Sequence, residues 1–308
     1  MITTVTLNPM LDKTVSVDAV RRGAVSRASG VSVIVGGKGV NVSRQLHRLG
    51  EETVAAGFIG GEIGSILERL LDGEGITHRF VRIAGMTREG VTYLEPEGTM
   101  TSVFEPPHPV TATEAGRLLE ECRTLAGKSD WMVCSGSSPS PEADDVFRMI
   151  VADCRARGIP VVLDSYGHAL ARGMESVPDL LKPNREEFEQ TFGARLPGES
   201  DMIAAARRLV AQGVRYSIIT DGPRPFAAAC ADGAWIVTPP VVQNVNPTGS
   251  GDSMIAGILY GLRRSWPFAD CLAFGAAAGA ANARVREVAQ SSSDDIRSLL
   301  GGVTVKRV

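Results

Sequence analysis

Between Asn244 and Arg264 the chain reads NVNPTGSGDSMIAGILYGLRR. Pro247 and the small residues Gly249, Ser250 and Gly251 form a turn. Met254, Ile255, Ile258, Leu259 and Leu262 then give the next stretch an apolar face at helical spacing. Unpaired N–H groups at a helix start, reached over glycines, make an anion site. Asp252 places a carboxylate inside that site, which is self-defeating unless the carboxylate does chemistry. A base beside a cradle for developing negative charge suits transfer of a charged group onto a hydroxyl. The alternative is that Asp252 caps a helix behind a tight loop, and for an isolated G-x-G-D that alternative carries more weight.

Other residues gain meaning only in company. Gly36-Gly37-Lys38-Gly39 invites comparison with a P-loop but fails it, since a Walker A loop has four residues between its glycines and Ser or Thr after the Lys, where this chain has Gly39-Val40. Its glycines still permit close backbone approach, and Lys38 adds a point charge at a helix start. Asn184 and Glu187 stand three apart at another helix start. Their oxygens suit Mg²⁺, which keeps most of its waters; taken alone, they suit better an N-cap and its N3 partner. Arg27, Arg88 and Lys38 are surface charges taken singly and a phosphate trap if they converge. Asp12 either accepts hydrogen bonds from sugar hydroxyls or caps a turn.

These residues need elements to carry them. Residues 2–7 read as a first strand broken by Asn8-Pro9, 36–50 as a helix stopped by Gly50, 53–59 as a strand, and Ile63–Leu71 as a helix. Short β-like runs recur at 14–17, 31–35, 79–83 and 90–105, with Glu97-Gly98 as a hairpin turn. From residue 111 helices and strands alternate: helices over 113–126, 141–157, 185–192, 202–212 and 269–286, strands over 131–135, 160–164, 180–182 and 216–220, and a hairpin over 226–237. Alternation predicts an α/β fold with a mostly parallel sheet covered on both faces, and ligands beyond the carboxyl ends of its strands. The polar motifs fall there: Asn8, Ser135-Gly136-Ser137, Asp164-Ser165, Lys182-Pro183-Asn184 and Gly249–Asp252. The helix-free sections 12–36 and 86–107 are expected to pair into a small separate sheet, a lid over the site.

At 308 residues, 44% hydrophobic and 22% charged, the composition is that of an ordinary globular chain. A net charge of −3 with no basic run argues against a nucleic-acid surface. The five cysteines are scattered without a C-x-x-C pair, so reduced thiols and a cytoplasmic location are expected. Nothing approaches a membrane span, and MITTVTLNPMLDKT has no signal-peptide pattern.

TLNPMLD, GGKGVNVSRQLHRLG, SGSSP, LDS, KPNREE and NPTGSGDSMIAG, in this order and spacing, resemble the PfkB carbohydrate kinases, whose fold is ribokinase-like, a three-layer α/β/α sandwich with a small β-lid. The resemblance spans nearly the whole chain, taken as a single kinase domain over 1–308. TLNP and GGKG-N look like the hexose-phosphate branch, which includes 1-phosphofructokinase and tagatose-6-phosphate kinase. The resemblance implies ATP-dependent phosphorylation of a ketohexose phosphate (fructose 1-phosphate, tagatose 6-phosphate or fructose 6-phosphate). Asp252 would be the base, and Gly249, Ser250 and Gly251 the donors to the transferring phosphoryl. Asn184 and Glu187 would organise Mg²⁺ through water, Lys182 would approach the ATP phosphates, and Thr220 and Gly222 would lie along the nucleotide. Asp12, Gly37 and Asn41 would hold sugar hydroxyls; Lys38, Arg27, Arg88 and Ser137 would hold the phosphate already on the sugar.

Three departures stand out. Thr220-Asp221-Gly222-Pro223-Arg224-Pro225 stands where the family has Ser-Leu-Gly-x-x-Gly, so a proline replaces the second glycine of the nucleotide loop. Glu287 stands where members with a monovalent-cation site have glycine, which leaves a potassium requirement open. Tyr166 stands where a small residue is common. A homodimer through the exposed lid strands is also expected. The alternatives are a kinase for an unphosphorylated sugar or nucleoside, and a non-catalytic sugar-phosphate sensor on the same fold.

Overall fold

The computed structural model describes residues 1–96 and 98–308. In chain order its elements are β1 (Ile2–Thr6), β2 (Met10–Ser16), β3 (Gly30–Gly36), α1 (Lys38–Arg48), β4 (Thr53–Gly60), α2 (Gly61–Glu74), β5 (Thr77–Ile83), β6 (Arg88–Leu94) and β7 (Met100–Phe104). There follow α3 (Ala112–Ala126), β8 (Trp131–Ser135), α4 (Val146–Ala156), β9 (Val161–Asp164), α5 (Gly167–Met174), β10 (Leu180–Leu181), α6 (Arg185–Phe192) and α7 (Glu199–Ala211). The chain closes with β11 (Tyr216–Asp221), β12 (Arg224–Cys230), β13 (Gly233–Thr238), α8 (Ser250–Leu262), α9 (Phe268–Ala283), α10 (Ser293–Leu299) and β14 (Thr304–Arg307).

Ten strands form one sheet in the order β14-β13-β12-β11-β10-β9-β8-β1-β4-β5. From β11 to β5 every pairing is parallel, and β12, β13 and β14 extend it antiparallel. Period-two alternation assigns neighbouring strand residues to opposite layers. Met132 and Cys134 pack with Leu118 of α3, Phe147 of α4 and Leu209 of α7, whereas Val133 packs with Leu46 of α1 and Ile255 and Leu259 of α8. Three layers, helix–sheet–helix, result. The Ala- and Gly-rich sequence of α9 lets it lie against α8 with little between them: a Cβ on Gly257 would stand 3.0 Å from the Cα of Gly275.

The second sheet is small and separate, in the order β3-β2-β6-β7. It joins the two helix-free sections expected to pair. Glu97, half of the expected Glu97-Gly98 turn, lies outside the described residues. Several elements differ from their sequence-based expectation. The run at 79–83 belongs to β5 on the edge of the large sheet. The helix expected over 141–157 is a 3₁₀ turn, Pro141–Ala143, then α4, with Asp144 and Asp145 between. Helices α5 and α10, at eight and seven residues, are too short for a clear apolar period, and β14 is a four-residue, largely exposed edge strand. No helix among the described residues is long and apolar enough to cross a membrane.

Candidate active site

The carboxyl ends of β1, β8, β9, β10 and β11 line one edge of the large sheet, and α1 and α8 start beside them. The α8 turn is built by Gly249, which caps the helix in the left-handed region at φ 80°. A side chain there would also collide with Val288, whose Cγ1 lies 2.5 Å from the Cβ position. Ser250 N–H turns back to the Pro247 carbonyl at 3.1 Å. The N–H groups of Gly249 and Gly251 meet no protein acceptor among the described residues, so two of the three expected anion-site amides point free. Asn282, fully buried in α9, holds this turn by donating to the Thr248 carbonyl at 2.8 Å and to Ser250 Oγ at 3.1 Å.

Asp252 follows in the first turn of α8, 5% exposed. Asn41 Nδ2 of α1 donates to its Oδ2 at 2.8 Å. Burial, and then the neighbouring Asp164 carboxylate, push the Asp252 carboxyl up to about 6 against the pull of Lys38, Asn41 and Lys182. That is the range in which a carboxylate is a useful base near neutral pH.

Beside it lies a charge cluster. Asp164, at the end of β9, is 1% exposed and receives Ser135 Oγ at 3.0 Å. Lys182 Nζ stands 3.3 Å and Lys38 Nζ 3.7 Å from its Oδ1. Burial alone would raise the Asp164 carboxyl, but Lys182 and Lys38 bring it below the usual carboxylate range. Lys38 also donates to Glu187 Oε1 at 2.6 Å. Burial pulls the Lys38 ammonium down, yet Asp164 and Glu187 outweigh it and hold the ammonium above its ordinary value. Lys182 Nζ lies 3.3 Å from the Cβ position of Gly251, so its charge borders the start of α8.

Asn184 and Glu187 form a capping box at the start of α6: Glu187 N–H donates to Asn184 Oδ1 at 2.8 Å and Asn184 N–H to Glu187 Oε2 at 2.9 Å. The structural alternative for this pair is therefore present, and Glu187 is engaged by Lys38 as well. Among the described residues no group of three His, Cys, Asp or Glu side chains could cage a metal ion. The donors fit a Mg²⁺ that arrives on phosphates and keeps its waters, not a dedicated cage. Thr220 pairs with Asn184 across the strand ends. Gly222 and Pro223 turn β11 into β12 with Gly222 at φ 60°, and Asp221 receives Arg224 at 2.6 Å and Arg185 at 3.4 Å.

The small sheet contributes Asp12 of β2 and Arg88 of β6, the latter paired opposite Met10 of β2. Asp12 is 9% exposed and its Oδ1 has no protein partner; burial raises its carboxyl against Arg44 and Arg88. Arg88 reaches the Asn8 carbonyl at 3.4 Å, and Asn8 Nδ2 donates to Ser137 Oγ at 3.3 Å. Burial lowers the Arg88 pKa, with Tyr166 and Asp12 opposing. Tyr166 sets its ring 5.8 Å from Lys38 Nζ. Gly37, at φ 132°, lets the chain pass from β3 into α1 against Thr6. Arg27 lies exposed between β2 and β3 and forms no hydrogen bond or ion pair among the described residues. The strand ends, α1, α6 and α8 thus bring their expected residues to one edge of the large sheet, the small sheet presents Asp12 and Arg88 with Arg88 reaching the Asn8 carbonyl, Arg27 lies apart, and Lys38 sits in the Asp164–Glu187 cluster. Sequence reasoning left Asp164, Asn8 and Arg44 without roles. Asp164 and Asn8 were visible as polar strand ends; Arg44 gave only its three-residue spacing from Asn41.

A buried carboxylate, two helix-start amides without a protein acceptor among the described residues and two lysines around a buried aspartate thus lie together at one end of the sheet. The sequence pattern of the pfkB family carbohydrate kinases matches residues 5–295. The 1-phosphofructokinase of Escherichia coli strain K12 is 33% identical over 261 residues, 85% of this chain and 84% of that one. Among solved structures, one titled possible 1-phosphofructokinase from Thermotoga maritima superposes with a TM-score of 0.92 at 28% identity, covering 100% and 99% of the two chains. Phosphofructokinase-2 of Escherichia coli in complex with fructose-6-phosphate gives 0.89 at 26% identity over 97% and 98%. The chain belongs to the PfkB family of carbohydrate kinases and has its ribokinase-like fold.

Proposed function

We propose that the protein transfers the γ-phosphoryl group of ATP to a hydroxyl of a ketohexose phosphate, giving the bisphosphate and ADP. The observation that carries this reading is Asp252, buried and raised to about 6, beside the free amides of Gly249 and Gly251. The acceptor hydroxyl gives its proton to Asp252 as its oxygen bonds to phosphorus; the bond to the β-phosphate oxygen breaks and ADP leaves. Phosphoryl transfer needs alignment and charge stabilisation more than covalent help. Gly249 and Gly251 N–H groups and Lys182 face the charge on the transferring group. Mg²⁺, held through water at Asn184 and Glu187, would neutralise phosphate oxygens. Thr220 and Gly222 lie where a nucleotide would follow the ends of β10 and β11.

Asp12, Gly37 and Asn41 face the sugar. Arg88, Ser137 and Lys38 are the donors for the phosphate it already carries, with Arg27 joining only if its loop closes on the ligand. That cationic set favours a phosphorylated acceptor over a free sugar or nucleoside. Both 1-phosphofructokinase and the fructose-6-phosphate complex among its relatives fit the same substrate class. For Arg88→Ala we expect KM for the sugar phosphate to rise about ten- to hundredfold, the size of a lost charged hydrogen bond, with KM for ATP little changed. Equal effects on both would remove Arg88 from the acceptor site. The small sheet also leaves Val31 (61% exposed), Val103 (63%) and Phe104 (51%) on its outer strands. A second copy pairing through these strands would cover them, and light scattering should report a dimer; a monomer at working concentration would contradict it.

A further inference from the structure

Arg44, on the second turn of α1, is 2% exposed. A buried cation is tolerated only where its donors are used, and here all three nitrogens are. Nε and NH2 face the two carboxylate oxygens of Glu74 at the end of α2, with NH2–Oε1 at 3.0 Å. NH2 also donates to the Val35 carbonyl at 2.9 Å, and NH1 donates to Asn41 Oδ1 at 2.8 Å. With its oxygen committed to a guanidinium, the Asn41 amide has one orientation, and that orientation turns Nδ2 onto Asp252 Oδ2 at 2.8 Å. Val35 belongs to β3, the strand of the small sheet that runs directly into α1. One side chain therefore joins the root of the small sheet, the end of α2 and the amide that holds Asp252.

We propose that Arg44 is a positioning residue for phosphoryl transfer: it locks the Asn41 amide so that the Asp252 carboxylate keeps its aim, and it ties that aim to β3 of the small sheet. The inference rests on the reading of Asp252 as the base. Charge-assisted hydrogen bonds hold geometry better than neutral ones, and a network of this kind acts as a unit. A purely structural Arg44 would fasten α1 to α2 through Glu74, and its loss would lower stability while leaving the turnover of folded enzyme intact.

Arg44→Lys keeps the charge but cannot reach Glu74, Val35 and Asn41 together. In folded Arg44→Lys, kcat should fall on the order of 10–100-fold, the scale set by small misplacements of reacting groups, with both KM values little changed. The same substitution added to Asn41→Ala should cost little further turnover, because the guanidinium acts through that amide. Glu74→Gln, which loosens the guanidinium without removing it, should lower kcat in the same sense and serves if Arg44→Lys does not fold. Wild-type kcat in a folded variant, or an equal loss on the wild-type and Asn41→Ala backgrounds, would overturn the inference. Asp252→Asn measured alongside separates the two readings. An inactive Asp252→Asn with wild-type Arg44→Lys sinks the positioning role alone, whereas an active Asp252→Asn sinks both.

Discussion

Asp252→Asn is expected to lower kcat by about 10²–10⁴-fold, the usual contribution of a positioned general base, while both KM values change little. The substitution is nearly isosteric, so the buried position beside Asn41 should still fold. In the unmodified enzyme kcat/KM should report the same group. The Asp252 carboxyl is raised to about 6, so its basic form dominates above that pH and is lost as pH falls through it. The rate should be level around neutrality and decline below about pH 6, and the acid limb should vanish in Asp252→Asn. Near-normal turnover in that variant would remove the base from the mechanism.

Gly249→Ala is expected to have the next largest effect, for two reasons that act together. The residue adopts φ 80° and ψ 0°, where a side chain is strained, and its Cβ would lie 2.5 Å from Val288 Cγ1. Relieving that contact must rotate the turn that aims the Gly249 and Gly251 amides. Loss of one such donor costs on the order of 10²–10³ in rate, and the backbone strain lowers stability by about 1–3 kcal/mol. Gly251→Ala is the comparison. There the nearest atom is Lys182 Nζ at 3.3 Å, the end of a flexible side chain, so stability should fall less. Thermal unfolding with kcat on both variants checks this; equal melting temperatures and equal rates would contradict it.

The parts of the site that lie close together in the chain were legible before the structure. Gly249 to Asp252 make one local turn, and the glycines, the carboxylate and the apolar helix face are all in view within it. The two helix-free sections announced a separate small sheet by their short β-like runs. The capping role of Asn184 and Glu187 was one of two readings that local spacing allowed, and the structure shows that it is made. What was hidden depends on sheet order. Lys38 meets Glu187 across 149 residues, and Asn41 meets Asp252 across 211. No local pattern says that α1 starts beside the ends of β9 and β10, so the pairing of Lys38 with Asp164 and Glu187 was not legible in the sequence. Arg44 looked like one more helical arginine because its value lies in burial, which its spacing does not reveal. Short elements such as α5, α10 and β14 were missed because they are fixed by packing against their neighbours rather than by their own periodicity.

The most direct test of the central claim is ADP release with Mg-ATP across fructose 1-phosphate, fructose 6-phosphate, tagatose 6-phosphate and the corresponding free hexoses. The account predicts strong preference for one phosphorylated ketose and weak or no turnover of free sugars. Turnover of free hexoses as fast as of any sugar phosphate would contradict the cationic acceptor site. Absence of ADP release from folded protein that still binds a sugar phosphate would contradict catalysis itself and leave a sensor built on this fold.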